Sequence, residues 1–377
     1  MIPVYIHAFN QTISMLCSAN GIIETPAFLP DATRGFVRCV DHNDLMNCGV
    51  KGLVMNVFHL MRKPGRTTIK ALGGLHAMYN WKGPIFTDSG GFQAYSIIRE
   101  NNKYGYISDN GINFRDERTQ KLIKLTPEKC IRYQLQFGTD VAICLDECTH
   151  INDPYETQEK SVNRTIQWAI RCKEEFLRRV NTKKSDGSKK KQLLFAVIQG
   201  GGVLELRMKC ITSLLEIGFD GFGFGGWPFN SSGELLLDIL DFTRKNIPRQ
   251  YPVHALGVGH PYHIAQCLQH GYSLFDSALP TRDAHDGRLY CWKFSLSELK
   301  KKIEYNNWMS RVYIHDKKYL KDRTPISPSC DCFTCSNYSR GFLHHLYKTK
   351  DDLYRRLATI HNLRFINTLI DIIICQN

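Results

Sequence analysis

Three aspartates stand where apolar runs turn polar: Asp88 in FTDSGGFQ (86–93), Asp146 in LDEC (145–148) and Asp276 in FDSALPTR (275–282). A carboxylate at the edge of a buried run is costly unless it has a partner or a task. When ionised it only accepts hydrogen bonds; it can also carry a proton or stabilise a developing positive charge. Gln199 in AVIQGG (196–201) offers a donor and an acceptor together. Further on, SCDCFTC places Cys330, Cys332 and Cys335 in C-x-C-x-x-C spacing. In a reducing compartment such spacing argues for a thiolate metal site rather than disulfides. A tetrahedral zinc needs a fourth ligand, and periodicity leaves His344, His345 and His361 open. With no position free for substrate, the ion would be structural.

These residues must be held by regular elements. Eight short apolar runs lie at 27–31, 52–59, 84–91, 141–147, 193–201, 219–226, 253–260 and 273–277. Each is almost continuously apolar, as strands covered on both faces are. Helical spacing appears between several of them, over 126–138, 155–180, 203–218 and 232–247. Thr126 reads as an N-cap, Pro127 as a first-turn residue and Gly138 as a stop. Alternation of this kind predicts an α/β fold, a closed (β/α)8 TIM barrel over 1–320 with a C-terminal zinc-binding helical subdomain over 321–377. An open doubly wound sheet is the alternative, but no GxGxxG loop supports it. In a barrel the active site lies at the C-terminal ends of the strands. Asp88, Asp146, Gln199, the Gly225-Gly226 pair, the Gly257–Gly259 turn and Asp276 all fall there. Any one alone reads as a turn or cap residue; their common register describes a lined pocket.

The chain has 377 residues, 43% hydrophobic and 23% charged, and a formal net charge of +13. That surplus favours an anionic partner, with nucleic acid ahead of an acidic membrane. The start, MIPVYIHAFNQT, lacks a basic segment followed by a long apolar one, so no signal peptide is expected. No window reaches the roughly 18 uncharged apolar residues of a membrane span, and Asp371 interrupts FINTLIDIIICQN. The 14 cysteines lie mostly singly in apolar segments, so reduced thiols and a cytoplasmic location are expected. The lysine-rich stretch 181–191 reads as a solvated loop.

Taken together, NVFHLMRKPG (56–65), FTDSGGFQ, LDEC, AVIQGG, LGVGHP (256–261), FDSALPTR and CDCFTC (330–335) resemble the bacterial-type tRNA-guanine transglycosylases, or queuine tRNA-ribosyltransferases. The resemblance covers nearly the whole chain. It implies exchange of guanine at wobble position 34 of a tRNA with a GUN anticodon for a 7-deazaguanine, queuine or preQ1, without breaking the RNA backbone. By position, Asp276 resembles the nucleophile and Asp88 the proton acceptor and donor. Asp88, Ser89, Gly90, Gly91, Phe92, Asp146, Gln199 and Gly226 would bind the base. Gly257, Val258, Gly259, His260, Thr281, Arg282, Asp283 and His285 would contact tRNA. Cys330, Cys332, Cys335 and His361 would hold one structural Zn2+ per chain, and relatives commonly form homodimers.

The chemistry suits the residues on its own terms. Cleaving an N-glycosidic bond builds oxocarbenium character, which a carboxylate beneath C1′ can stabilise or capture. The target base must first leave its stack. Departures from the family pattern fall at GGWPFNSS (225–232), where Trp227, Pro228 and Phe229 alter a wall of the base pocket, and at TRDAH (281–285). The expected incoming base is queuine, with preQ1 the alternative. A noncatalytic partner subunit of such an enzyme is the rival reading, and the presence of both Asp88 and Asp276 argues against it. An archaeal-type enzyme would carry further C-terminal RNA-binding domains. A zinc-dependent barrel hydrolase would need its metal ligands at strand ends.

Overall fold

The computed structural model describes residues 14–116, 120–182, 191–230, 232–302 and 307–375, so most of the lysine-rich stretch 181–191 lies outside the described residues. The eight apolar runs form eight parallel strands: β1 (Ala27–Pro30), β2 (Leu53–Asn56), β3 (Ile85–Asp88), β4 (Val141–Ile143), β5 (Leu193–Ile198), β6 (Gly221–Phe224), β7 (Val253–Ala255) and β8 (Leu274–Ser277). Neighbours in sequence are neighbours in space, and β8 pairs with β1. Between β1 and β2 the ring is completed by the parallel Asp31–Val54 bridge, where the Ala32 N–H donates to the Val54 carbonyl over 2.7 Å. The closed (β/α)8 barrel is therefore the fold, and the open sheet is not.

The strands are shorter than the apolar runs that announce them, because the chain leaves the ladder where its polar residues begin. Of 52–59 only Leu53–Asn56 pairs; Asn56 then caps a short helix, its side chain accepting the His59 N–H. Inside the barrel, Leu29, Val54, Phe86, Ile143, Phe195, Val197 and Leu274 pack into one apolar cluster. Leu16 and Ile23 join it from an antiparallel hairpin, Ser14–Ser18 with Gly21–Thr25, that stops the N-terminal end. The opposite end carries the polar residues.

Eight helices matter for the site and its frame: α1 (Gly91–Glu100), α2 (Pro127–Phe137), α3 (Tyr155–Thr182), α4 (Leu204–Ile217), α5 (Leu237–Lys245), α6 (Pro261–Gln269), α7 (Leu279–His285) and α8 (Asp352–Ile374). α2 starts where the sequence places it, with Thr126 accepting the Lys129 N–H over 3.2 Å and Gly138 (φ 87°) ending the helix. Two antiparallel insertions have no counterpart in the eight-run pattern. One is the sheet Gly105–Ser108, Gly111–Arg115, Leu122–Leu125; the other is the hairpin Arg288–Trp292 with Met309–Tyr313.

α8 fastens the C-terminal region to the barrel. Trp292 stacks on Phe365 with centroids 3.7 Å apart, and Arg356 forks onto Asp44 over 2.8 and 2.7 Å. Because it begins well before the FINTLIDIII stretch, α8 reaches 23 residues, long and apolar enough by composition to cross a membrane. Yet 78% of its most apolar window is buried inside the protein, which is how a core helix uses such a surface.

Candidate active site at the C-terminal mouth of the barrel

Asp88 is the last residue of β3, and Asp276 lies in β8, whose Asp276 pairs across to Leu29 of β1. Asp146 follows β4, Gln199 follows β5, and Gly225-Gly226 follow β6. The three aspartates meet at one mouth. Asp88 is held by the Asn56 amide, which donates to Oδ2 over 2.8 Å and to Gln93 Oε1 over 2.9 Å. Burial pushes the Asp88 carboxyl up to about 7, with the charges of Asp146 and Asp276 adding to the rise. Asp146 is likewise lifted by burial, to about 6, against the hydrogen bond Gln199 donates to its Oδ2 over 2.6 Å. Gln199 is fully buried, and its Oε1 has no hydrogen-bond partner among the described residues. A buried acceptor left open is costly unless a ligand supplies the donor.

The pocket's back wall is backbone. A Cβ on Gly225 would stand 2.6 Å from Gln199 Nε2, so only glycine lets the strand end lie against that amide. Gly90 adopts φ 81°, and a side chain there would meet Phe58 Cβ at 2.5 Å. This turn lets α1 begin at Gly91 and sets the buried Ser89 hydroxyl 3.5 Å from Asp146 Oδ1. Behind the wall lies Arg207 of α4, 1% exposed. It donates to the carbonyls of Gly201 (2.7 Å), Gly225 (3.1 Å) and Ile198 (3.4 Å), and burial, with no carboxylate paired to it among the described residues, lowers it to about 10.

Phe92 and Trp227 face each other across the mouth, nearly parallel at 16° with centroids 5.9 Å apart, and are 40% and 47% exposed. Past Pro228, Phe229 packs instead against the ring of His263, with centroids 5.1 Å apart. The thiol of Cys148, beside this wall, is raised well above its ordinary value by burial and is a poor nucleophile there.

Asp276 Oδ1 accepts the Gly257 N–H over 3.0 Å, and His254 Nε2 lies 2.9 Å from the same oxygen. Among the expected tRNA contacts, Gly257 and Arg282 are exposed, whereas Val258, Gly259, Thr281 and Asp283 are buried. Asp283 binds Arg288 over 2.7 Å and the Tyr290 hydroxyl over 2.9 Å. His260 and His285 are half-buried; burial foremost, with nearby cations adding to it, lowers them to about 3 and about 4. The cations acting on His285 are Arg38 and Arg355, opposed by Asp286; Arg34 and Arg38, on the segment that follows β1, and Arg282, in α7 after β8, are exposed.

Away from the mouth, Cys330, Cys332, Cys335 and His361 bring their ligand atoms within 4.8 Å of one another. His361 Nδ1 lies 3.7, 3.5 and 3.3 Å from the three sulfurs. A tetrahedral zinc with ordinary bond lengths has S···N edges of about 3.5 Å, so the donor set fits. The other ring nitrogen, Nε2, sits 2.6 Å from the Tyr290 carbonyl, which fixes the tautomer that turns Nδ1 toward the sulfurs. His344 is instead bonded through Nδ1 to the Ile314 carbonyl at 2.7 Å, and His345 is exposed.

Sequence reasoning passed over Asp31, Asn56, Arg207 and His254. Asp31 follows β1, and its carboxyl is raised by burial, with the Asp276 charge contributing. Asp31 and Asn56 bore the same signal as the three recognised aspartates, a polar residue ending an apolar run. Arg207 and His254 bore none.

A family model described as Queuine tRNA-ribosyltransferase matches residues 11–373. Similar proteins include the queuine tRNA-ribosyltransferase of Thermodesulfovibrio yellowstonii, 37% identical over 345 residues, 92% of this chain and 82% of that one. That of Hamiltonella defensa is 34% identical over 357 residues, 95% of this chain and 89% of the relative. That of Halothermothrix orenii is 34% identical over 361 residues, 95% and 88%.

Proposed function

The chain belongs to the queuine tRNA-ribosyltransferase family, and on that premise we propose that it exchanges guanine 34 of a GUN-anticodon tRNA for a 7-deazaguanine through a covalent enzyme–RNA intermediate. The observation that carries this reading is the convergence of Asp88, Asp146 and Asp276 at one barrel mouth, with Asp88 held near neutrality. Asp276 attacks C1′ of the flipped nucleotide, the C1′–N9 bond breaks, and its electron pair leaves on the purine. Asp88, poised at about 7, gives and takes the proton that the leaving and entering purines need. The second base attacks from the face the first vacated. Two displacements at C1′ retain configuration and conserve bond energy, so no ATP is consumed.

Asp146 and Gln199 read the base: the carboxylate accepts from its N1 and amino edge, and the open Gln199 Oε1 accepts another donor. Phe92 and Trp227 cover its faces. Queuine is the proposed incoming base, preQ1 the alternative, in a cytoplasmic homodimer with one structural Zn2+ per chain. The test is release of radiolabelled guanine from position 34 by the purified chain, with queuine, preQ1 and guanine supplied in turn. Release with queuine or preQ1 supports the reading; no release with any base, despite measured tRNA binding, favours the noncatalytic partner subunit.

A further inference from the structure

His254 belongs to no part of the chemistry described so far. It lies in β7 and is 0% exposed, its ring edge-on to Phe86 with centroids 6.1 Å apart at 83°. A histidine inside a barrel core is ordinarily satisfied by hydrogen bonds. This one is not: neither ring nitrogen has an aligned hydrogen bond among the described residues. Nε2 is nevertheless 2.9 Å from Asp276 Oδ1, so the approach is close but off the hydrogen-bonding line. A bare nitrogen lone pair facing a carboxylate oxygen at that distance would be repelled, so the proton sits on Nε2. Catalytic hydrogen bonds are often misaligned in a free enzyme and straighten once substrate is bound.

We propose that His254 is a positioning residue for Asp276: with the Gly257 N–H it commits Oδ1 and leaves Oδ2 as the oxygen that bonds to C1′. This rests on Asp276 being the nucleophile. Both donors converge on one oxygen, 2.9 and 3.0 Å away, while no hydrogen bond reaches Oδ2 among the described residues. A carboxylate free to rotate offers either oxygen along a range of directions. One clamped at Oδ1 holds Oδ2 along a single line of attack, and such orientation accelerates a displacement without altering substrate affinity. The step balances as before. The Oδ2–C1′ bond forms, the C1′–N9 bond breaks, and the purine leaves with the electron pair and takes the proton from Asp88. Once substrate binding has aligned it, His254 donates its hydrogen bond to Oδ1 through both displacements and transfers no proton.

The experiment compares His254→Leu with His254→Gln, which keeps a side-chain N–H. Readouts are thermal melting, KM for tRNA, kcat, and the rate at which a covalent RNA adduct appears on denaturing gels. The expected result is a fall in kcat and adduct rate of at least tenfold for His254→Leu, with KM within about twofold of wild type, and recovery of most of that loss in His254→Gln. Wild-type kcat in His254→Leu overturns the proposal. So does equal impairment of both variants, which would make His254 a packing residue. An adduct that persists in Asp276→Asn removes the nucleophile assignment itself, an outcome distinct from either.

Discussion

At the scale of single residues, the site is built from carboxylates kept partly unhappy. Asp88 is about 7 in the folded chain against 3.8 for a free aspartate. Its ionised form is therefore disfavoured by folding. Between those two values the native state binds more protons than the unfolded one, so the stability Asp88 costs grows as pH rises from about 4 to about 7. The full cost is on the order of 4 kcal/mol. Asp88→Asn should abolish exchange and also melt higher than wild type at pH 8, with the gain shrinking to about a quarter at pH 4.5 and vanishing only below the unfolded value. Equal melting shifts at the two pH values would mean that Asp88 is not held protonated by its surroundings. Asp276→Asn should bind tRNA near normally yet form no adduct. Trp227 supplies a specificity test. The 5.9 Å between its ring and that of Phe92 is short of the roughly 6.8 Å that a base sandwiched at the stacking rise requires. The wall must therefore part for substrate, and Trp227→Ala should change the ratio of queuine to preQ1 efficiency by about tenfold, some 1.4 kcal/mol. Phe229, turned onto His263, should matter less; an unchanged ratio in Trp227→Ala places selectivity elsewhere in the pocket.

At the scale of elements, the eight strands were legible because a parallel strand covered on both faces must be apolar throughout, and the chain marks each end with a change to polar or glycine. The same rule made Asp88, Asp146 and Asp276 visible. It failed for His254 and Arg207, which occupy positions where a strand and a helix are expected to carry apolar side chains; their meaning lies in contacts 22 and 18 positions away along the chain, Asp276 and Gly225. The antiparallel insertion at 105–125 was hidden for another reason: its first and last strands are half solvated and carry no continuous apolar run. The metal cluster shows both limits together. Spacing announced three cysteines, but only the folded α8 brings His361 to them, with the Tyr290 carbonyl fixing its ring. Cys332→Ser, or prolonged chelation, should lower the melting temperature and expose the region from 330 onward to protease before the barrel. Metal analysis should return one zinc per chain in protein purified without chelator. Protein with no zinc and an unchanged melt would show four residues gathered without an ion.

At the scale of the whole molecule, the two ends of the barrel differ. The N-terminal end is stopped by the apolar hairpin of Leu16 and Ile23, while the C-terminal end carries the carboxylates, and exposed Arg34, Arg38 and Arg282 lie on the segments that leave that end after β1 and β8. A net charge of +13 would attract any polyanion; on the proposed reading the attraction is useful because part of that charge lies on the segments that leave the barrel at the mouth a flipped base would enter. Each cation that neutralises a phosphate releases counterions, so log Kd depends linearly on log salt, with a slope of roughly 0.7 per contact for a single-stranded loop. Arg38→Ala and Arg282→Ala should each weaken tRNA binding about equally for all sequences of the anticodon loop, and flatten that slope by roughly 0.7. The matching control is Lys51, two residues before β2 on the closed end, where it pairs with Glu24 over 2.9 Å. Lys51→Ala removes the same charge from the same protein, so net charge alone would predict the same loss. An orientation set by the mouth predicts none. Equal effects at both ends would reduce the basic surface to unspecific attraction, and a flattened slope confined to Arg38 and Arg282 would fix the tRNA over the three aspartates.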